Sequence, residues 1–440
     1  MASLEGKVVA VVGAGLVGSL EAVYLAQRGA EVQVYEYRED IRSLEHVPGR
    51  SINLAMSVRG LAAMNKVGLG EHVRQEYGIP MHARMIHSTT GESTAIPYGK
   101  ESQAIYSVGR RYINEVLLDA GDKESNISFH FNHKLVKVNL DKPELVFERQ
   151  DVVGEGREVV VRPHLVIGCD GAFSNVRKEM MKRPRFNYSQ EYIPHAYMEL
   201  CMPSIAGDFA MPPNYLHIWP RGSLMMIGLP NQDKSFTVTL FMPTEVFDSI
   251  KDEAAVLNFF HDNFRDAVPL IGKEKLVEDF LSNRALPLVS VKCSPYHVSS
   301  TSLIMGDAAH AMVPFYGQGM NCGMEDCLVL EDCLDKAGGD LAAALQLYTT
   351  TRNPDAEAMC DLAMYNYVEV GWSATASLLV CFLSSYLLFS KVAILDICLV
   401  YFPSDHDCHE NSRRSLQSTF GQVCYLLLAA PGALVTPGAG

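Results

Sequence analysis

The sequence predicts an α/β fold with a Rossmann-like parallel sheet, into which a second, strand-rich α+β domain is inserted. Three observations lead to this fold class. An apolar, β-branched run near the N-terminus leads through a glycine turn into a helix. Two further apolar runs, beginning at Leu165 and Ser302, each end in a turn of glycine and aspartate. Between them, residues 181–290 contain runs in which apolar and polar side chains alternate, as they do in half-buried strands.

The composition is that of a globular protein with a large buried core. Of 440 residues, 48% are hydrophobic and 20% are charged, which is close to the average for folded domains. The net charge of −14 argues against a nucleic-acid-binding surface.

The first forty residues have the order strand, glycine turn, helix and strand. Lys7–Val12 is apolar and β-branched, as expected of a parallel strand buried on both faces. We predict a helix from Ser19 to Arg28 and a second strand from Glu31 to Tyr35. This order is that of the βαβ unit that binds dinucleotides.

The glycines of this turn form a GxGxxG motif with separate physical roles. Gly13 permits the tight turn, Gly15 lets the backbone approach a pyrophosphate, and Gly18 lets the helix pack closely on the strand. Glu36, at the end of the second strand, can accept hydrogen bonds from ribose hydroxyls. The segment predicts a dinucleotide site without choosing between FAD and NAD, and a glycine turn in another α/β protein is the competing interpretation.

Two later motifs favour FAD. The strand that begins at Leu165 ends in Cys169-Asp170-Gly171, and a helix begins near Ser174. The strand that begins at Ser302 ends in Gly306-Asp307, and Asp307 can accept a hydrogen bond from a ribitol hydroxyl.

The stretch after the second of these motifs suits a flat ring system. Gly317 and Gly319 allow the backbone to lie against such a ring. The amides of Gly319, Met320 and Asn321 precede a helix predicted from about Cys322 to Leu334, and they can hold negative charge on a reduced isoalloxazine.

Taken in order, the three motifs resemble those of the single-component (class A) flavin aromatic hydroxylases. Within that family, several stretches are similar to the kynurenine 3-monooxygenases, and the similarity covers about residues 6–370. These stretches are residues 49–55, 81–87, 95–99, 184–190, 214–220, 234–243 and 364–367.

This resemblance implies which residues contact FAD. The matching positions are Gly13, Gly15, Val17, Gly18, Tyr35, Glu36, Tyr37, Arg38, Ala55, Arg110, Leu135, Asp170, Asp307, Gly319, Met320 and Asn321. Arg111 is an alternative to its neighbour Arg110. Pro314, Phe315 and Gln318 are expected beside the flavin.

The resemblance also implies the substrate, L-kynurenine, with Arg84 as partner of its carboxylate and Tyr98 and Asn366 as polar companions. Arginine suits this role because its planar fork binds a carboxylate through two hydrogen bonds. Taken without the resemblance, Arg84 reads as a surface arginine on an alternating strand.

The implied reaction gives 3-hydroxykynurenine, as a step of tryptophan catabolism. NADPH reduces FAD, O₂ adds to the flavin, and the resulting C4a-hydroperoxide hydroxylates the ring. No protein nucleophile and no metal is expected, and we interpret His310 as structural rather than as a proton donor. Two alternatives are open: a flavin-binding but catalytically silent membrane isoform, and a related hydroxylase acting on another aromatic substrate.

The predicted FAD-binding domain is discontinuous, comprising residues 1–75, 100–180 and 290–370, and the substrate domain comprises residues 76–99 and 181–289. After about Val370 the resemblance ends, so residues 371–440 form a divergent segment. Its apolar stretch 374–402 is predicted to contact a membrane, and a buried helix is the competing interpretation.

The eleven cysteines lack paired metal-ligand spacing, so Cys322, Cys327 and Cys333 read as buried reduced thiols rather than as a metal site. Reduced thiols and the lack of a signal peptide indicate a cytosol-facing protein. The resemblance implies the mitochondrial outer membrane as its location.

Overall fold

The computed structural model describes residues 3–45, 53–98 and 103–372. The predicted membrane contact at 374–402 lies outside these residues, as does part of the 49–55 stretch. Within the part of the chain that is described, no helix is both long enough and apolar enough to cross a membrane.

The strands and helices follow one another along the whole described chain. The strands are β1 (Val8–Val12), β2 (Glu31–Tyr35), β3 (Asn53–Met56), β4 (Ile79–Met81), β5 (Ala83–His87), β6 (Ser93–Pro97), β7 (Ile105–Gly109), β8 (Ile127–His130), β9 (His133–Asn139), β10 (Glu144–Arg149), β11 (Glu158–Val161), β12 (Leu165–Gly168), β13 (Asn187–Met202), β14 (Tyr215–Arg221), β15 (Leu224–Pro230), β16 (Phe236–Pro243), β17 (Leu286–Ser294), β18 (His297–Val298) and β19 (Ser302–Ile304). The helices are α1 (Leu16–Gln27), α2 (Val58–Lys66), α3 (Gly70–Glu76), α4 (Arg110–Asp122), α5 (Asn175–Met180), α6 (Thr244–Ser249), α7 (Glu253–Asn263), α8 (Val268–Ile271), α9 (Lys273–Ser282), α10 (Asp307–His310), α11 (Gly319–Lys336) and α12 (Leu341–Trp372).

A six-stranded sheet has the order β18-β19-β12-β1-β2-β8, and its strands are parallel except for the pair β18 and β19. Its adjacent strands β19, β12 and β1 are almost entirely buried. Val9, Val11 and Ile167, for example, are fully enclosed in the largest hydrophobic core. This is the parallel sheet predicted from the apolar runs.

A seven-stranded sheet has the order β17-β13-β16-β15-β14-β5-β6. Its alternating strands have one face in a second core, where Met198, Leu200 and Val238 are buried under α6 to α9. The mixed α/β fold class is therefore confirmed. The exact domain boundaries stay a prediction, although β5 and β6 do pair into this sheet with strands from residues 187–294.

Two three-stranded sheets complete the strand pairing of the described residues, with orders β11-β10-β9 and β3-β7-β4. The first lies in a stretch where the sequence analysis named no strand. The second connects the two larger sheets, since α4 follows β7 directly and β4 leads into β5.

Local signals explain where several helices begin. Ser174 caps α5 by accepting a hydrogen bond from the Arg177 amide at 2.9 Å. Asp252 caps α7 by accepting one from the Ala255 amide at 2.9 Å. Because these side chains satisfy amides that have no partner in the first turn, each fixes the start of its helix.

Candidate functional site

The three predicted motifs meet at one edge of the parallel sheet. Val12 lies beside Gly168, and Gly168 lies beside Ile304, so β1, β12 and β19 end at the same level. Because the carboxyl ends of parallel strands share an edge, their following turns surround the same crevice. Tyr35, at the end of β2, lies beside Val12 on the other side.

The three glycines of the first turn differ in what surrounds them. A Cβ atom on Gly18 would lie 2.0 Å from the carbonyl oxygen of Gly13, so this position packs the helix on the turn. A Cβ on Gly13, whose φ is +100°, would lie 2.5 Å from the Cys169 carbonyl oxygen. Gly15 has nothing within 4 Å of a Cβ, which leaves open space beside its backbone.

Glu36 holds the loops on either side of the crevice. Its Oε2 accepts a hydrogen bond from the Ala14 amide at 2.9 Å. Its Oε1 accepts from the Arg38 amide at 3.0 Å and from Arg38 Nε at 2.8 Å. The carboxylate therefore anchors the glycine turn while it faces the cavity.

Asp170 presents one satisfied and one unsatisfied oxygen. Its Oδ2 accepts from the Asn175 amide at 2.6 Å, whereas the buried Oδ1 has no hydrogen-bond partner among the described residues. Burial raises the pKa of this carboxyl, and hydrogen bonds from Ser174 and Asn175 oppose that shift in part. A ligand hydroxyl at Oδ1 would complete the group.

The Gly306-Asp307 turn is held from behind by buried charges. Asp326 Oδ2 accepts from the Gly306 amide at 2.8 Å and from His310 Nε2 at 2.7 Å, and its Oδ1 accepts from Arg352 Nε at 2.6 Å. Burial disfavours every charge here, yet His310 and Arg352 hold the pKa of Asp326 below its ordinary value, and Asp326 raises that of His310. His310 is buried away from the crevice, in keeping with a structural role.

Three residues of this group could in principle hold a cation, since ligand atoms of His310, Cys322 and Asp326 lie within 4.8 Å of one another. Arg352 already occupies this position, because its guanidinium donates to Asp326 and, at 3.1 Å, to Cys322 Sγ. A metal ion would have to displace that buried positive charge. We therefore describe the group as an ion-pair network.

The start of α11 forms another wall of the crevice. Gln318, Gly319 and Met320 line the cavity, whereas the Asn321 side chain is buried and turned away from it. Asn321 Nδ2 donates to the Ala55 carbonyl oxygen at 2.9 Å, and its Oδ1 accepts from the Ser57 amide at 2.9 Å. Its side chain thus places β3 against α11.

These turns border a single cavity of about 1530 Å³, which extends beneath the seven-stranded sheet. All three predicted substrate contacts line it. Every predicted cofactor contact also lines it, with the exceptions of Gly18 and Asn321. Typical small-molecule pockets measure about 300–1,000 Å³, so this cavity has room for a large cofactor together with a small substrate.

The roof of the cavity is a row of side chains that crosses the seven-stranded sheet. Strand pairing places Glu199 beside Thr239, Thr239 beside Ile227, Ile227 beside Ile218, and Ile218 beside Ile86. All five line the cavity. Most of this roof is apolar, which suits an aromatic ligand and excludes water.

Arg84 lies on this roof in β5, between Leu216 and Ile96. Its guanidinium lies over the ring of Tyr98, 5.1 Å from the ring centroid, in a cation–π contact. Asn366, on α12, lines the same cavity. The structure thus places Asn366 in the same cavity as Arg84 and Tyr98, which lie more than 260 positions earlier in the sequence.

The two adjacent arginines Arg110 and Arg111 differ in their contacts. Arg111 donates to Glu115 Oε1 at 2.6 Å and to the carbonyl oxygens of Leu44 and Glu45, so it fixes α4 on its surroundings. Arg110 lines the cavity instead.

Sequence reasoning missed the polar roof residues Tyr197, Glu199 and Thr239. The available signal was alternation: from Ala196 to Met202 every second side chain of β13 is buried in the second core. Tyr197 and Glu199 must therefore face the opposite side, which is the cavity. The sequence alone did not show that this face meets the glycine turns.

The residues present fit an FAD molecule. Gly15, Gly171 and Gly317 each leave open space where a side chain would stand, so a flat or phosphorylated group can approach the backbone. The buried Oδ1 of Asp170 and Oε1 of Gln318, from residues that line the cavity, lack hydrogen-bond partners within the described chain. Ligand hydroxyl or imide groups would satisfy such atoms.

Comparison with known sequences agrees with this arrangement. A family model described as an FAD binding domain matches residues 6–363. Kynurenine 3-monooxygenase from Anopheles gambiae is 56% identical over 364 residues, covering 82% of this chain and 74% of that protein. Kynurenine 3-monooxygenase from Sus scrofa is 51% identical over 362 residues, covering 82% of this chain and 76% of that protein.

Solved structures share the fold at low sequence identity. PqsL, a probable FAD-dependent monooxygenase from Pseudomonas aeruginosa, superposes with a TM-score of 0.66 at 19% identity, covering 83% of this chain and 96% of that one. The tetrameric form of 2-methyl-3-hydroxypyridine-5-carboxylic acid oxygenase gives 0.67 at 18% identity, covering 84% of this chain and 93% of that one.

Proposed function

Because the chain belongs to the kynurenine 3-monooxygenases, a family of FAD-dependent monooxygenases, we propose that it hydroxylates L-kynurenine to 3-hydroxykynurenine. One observation carries the proposal. A single cavity is lined both by the glycine and aspartate turns of a dinucleotide site and by Arg84, Tyr98 and Asn366.

Arg84 is the group in this proposal that selects an amino acid. Its guanidinium can bind the substrate carboxylate through two hydrogen bonds, and the contact with Tyr98 orients it. Asn366, lining the same cavity, offers an amide that can accept from the substrate ammonium or donate to its carboxylate. These contacts would fix one end of the substrate.

The apolar side chains of the cavity roof would position the aromatic end of the substrate. Ile218, Ile227 and Phe241 provide a surface for the aromatic ring. Phe315 packs against Phe241, with ring centroids 5.1 Å apart, and against Tyr367 at 5.1 Å. Holding the ring in this dry enclosure orients the carbon to be hydroxylated and limits wasteful reaction with water.

The cofactor would be held by the turns at the sheet edge. Gly13 and Gly15 would accommodate its pyrophosphate, Glu36 its adenosine ribose, and Asp307 its ribityl chain. FAD, reduced by NADPH, supplies the activation of O₂ in this proposal. The amides at the start of α11 would stabilise negative charge on the reduced ring.

The test is to purify the full chain and to examine one sample in two ways. A flavin absorption spectrum reports FAD binding. NADPH oxidation with L-kynurenine, followed by chromatographic detection of 3-hydroxykynurenine, reports the reaction. Flavin-loaded protein that forms no product, or only hydrogen peroxide, would contradict the proposal and favour the catalytically silent isoform. Product from a different aromatic compound alone would favour a related hydroxylase.

On the family resemblance we propose that the protein lies on the cytosolic side of the mitochondrial outer membrane, and on the apolar stretch 374–402 that this segment contacts the membrane. Cell fractionation, followed by carbonate extraction of the mitochondrial membranes, tests this proposal. Full-length protein recovered in the cytosolic fraction would contradict it.

A further inference from the structure

Glu199 is an acidic residue of the cavity that the proposed function does not use. The side chain faces the cavity from β13, opposite the apolar core on the other face of the strand. No hydrogen bond or ion pair of its carboxylate is found among the described residues. It therefore differs from Glu36, whose two oxygens both hold loop amides.

The position of Glu199 excludes a role at the substrate carboxylate. Its strand and that of Arg84 are separated by β16, β15 and β14. Four strand spacings of about 4.8 Å put roughly 19 Å between the two backbones. One amino-acid substrate anchored at Arg84 cannot bring its α-ammonium group to Glu199, since that group is bonded to the carbon that bears the carboxylate.

The positively charged residue that acts on Glu199 is Arg110. This arginine lies at the start of α4 and lines the cavity, and it is a predicted flavin contact. Burial raises the pKa of Glu199 to about 7, and the positive charge of Arg110 opposes this shift. The cavity therefore holds a fixed positive charge and a carboxyl whose charge depends on pH.

Other titratable groups lie on β13 and on the helix packed against its opposite face. On the cavity face of β13 lie Tyr197 and Cys201; on α9, Asp279 accepts from the Cys201 amide and pairs with Lys275. Burial raises the pKa values of Tyr197 and Cys201, so both stay neutral near pH 7. Glu199 is thus the group of this set that changes charge in the neutral range.

We propose that Glu199 takes up a proton when the bound flavin is reduced, so that it and Arg110 together set the charge around the reduced ring system. This inference rests on the FAD binding of the proposed function but not on kynurenine turnover. An electrode supplies the two electrons in the titration below, so that every proton taken up comes from solvent; in turnover the hydride of NADPH would bring the hydrogen of the flavin with it. One proton goes to the flavin, which becomes anionic, and one goes from solvent to a carboxylate oxygen of Glu199.

Repulsion between like charges determines the direction in which flavin reduction changes the pKa of Glu199. A negative charge on the reduced ring raises the pKa of a nearby carboxyl. Between the pKa of Glu199 in the oxidised protein and its higher value in the reduced protein, reduction binds an additional proton. Protonated Glu199 leaves Arg110 uncompensated, which favours the anionic reduced ring.

The experiment is a spectroelectrochemical titration of the FAD-loaded full chain from about pH 6 to about pH 9. The flavin midpoint potential of the wild type should fall more steeply with pH above about pH 7 than that of Glu199→Gln, whose side chain cannot titrate. Glu191→Gln is the matched control, since Glu191 is exposed on the same strand and does not line the cavity. It should follow the wild type.

Equal slopes in the wild type and in Glu199→Gln would overturn the inference and leave the proposed function standing. If Glu199→Gln fails to retain FAD, proton uptake by the wild type is measured with an indicator dye during electrochemical reduction slightly above pH 7, where electrons are supplied without hydrogen. More than one proton per two electrons supports the inference, and a single proton overturns it. A wild type that binds no FAD contradicts both the inference and the proposed function.

Discussion

The side chain of Asn321 donates a hydrogen bond to the carbonyl oxygen of Ala55, 266 positions earlier in the chain, at 2.9 Å. Its other atom, Oδ1, accepts from the buried amide of Ser57. A Cβ on Gly60 would lie 2.8 Å from this same Oδ1, so α2 packs closely on the asparagine. The Asn321 side chain therefore fixes the distance between β3 and α11, which both border the cavity.

Replacing Asn321 with alanine should lower the free energy of unfolding by about 1–3 kcal/mol, because the Ser57 amide would be left buried without a partner. Strand β3, which carries Ala55, would also move relative to α11, so FAD affinity should fall. Urea denaturation and a flavin-binding titration measure the two effects. Asn187→Ala, at an exposed position on β13, should change neither by more than about 0.5 kcal/mol. Unchanged stability in Asn321→Ala would show that the hydrogen bonds of this side chain to Ala55 and Ser57 are dispensable.

Two glycines of the first turn should respond differently to the same substitution. Gly18→Ala places a Cβ 2.0 Å from a backbone oxygen, so it should destabilise the protein by about 1–3 kcal/mol. Gly15→Ala meets open space in the protein and has an ordinary negative φ, so stability without cofactor should be nearly unchanged. The new methyl group would occupy the space proposed for the pyrophosphate, and FAD affinity should fall at least about tenfold.

Thermal denaturation of the cofactor-free proteins and equilibrium FAD binding separate these effects. The Gly18 variant is the control for the Gly15 variant, since they lie in one turn. If Gly15→Ala binds FAD as tightly as the wild type, the pyrophosphate does not approach this backbone.

Replacing Arg84 with alanine should weaken kynurenine binding by about 2–5 kcal/mol, because the substrate carboxylate would lose its charged partner. The flavin spectrum should be unaltered, since Arg84 lies on the roof and not in the turns at the sheet edge. Steady-state kinetics should show the loss mainly in the apparent KM. Arg162→Ala, at an exposed arginine paired with Glu144, serves as control. A normal KM for Arg84→Ala would place the carboxylate elsewhere.

His217 should make the protein lose stability in mild acid. It is buried on the far side of the roof sheet, donates from Nε2 to the Pro212 carbonyl at 2.9 Å, and contacts His87 through Nδ1 at 2.9 Å. Burial lowers its pKa to about 4, opposed in part by the Pro212 hydrogen bond. The folded state therefore disfavours the charged imidazole that the unfolded chain readily forms.

This difference in pKa between the folded and unfolded states determines how the free energy of unfolding changes with pH. The contribution of neutral His217 is complete above about pH 6.5 and is lost as the pH falls towards 4, a change on the order of 3 kcal/mol. Urea denaturation at several pH values should show a shallower acid decline for His217→Gln than for the wild type. His261→Gln, at an exposed histidine, should retain the wild-type profile. Parallel profiles for all three proteins would mean that His217 does not titrate in this range.

Local patterns predicted many of the elements closely. The strand from Glu31 to Tyr35 has the predicted bounds. The alternating runs 215–219, 224–229 and 236–242 predict β14, β15 and β16, each of which extends one or two residues further. The helix expected from Ser19 begins earlier, at Leu16, and the helix expected from Cys322 begins at Gly319. Both helices begin before the predicted residue because glycine, although it favours turns, is also accommodated in a first helical turn.

The three motifs and their approximate convergence could be inferred from the chain alone, because apolar periodicity and glycine–aspartate turns are local properties and parallel strands end at a common edge. Which side chains share the cavity could not be inferred, since that depends on pairing between distant strands and on the face that each strand turns to its partner. Thus the close approach of Gly18 to Gly13, the hydrogen bond from Asn321 to Ala55 and the place of Glu199 beside Thr239 in the cavity are decided by the tertiary structure.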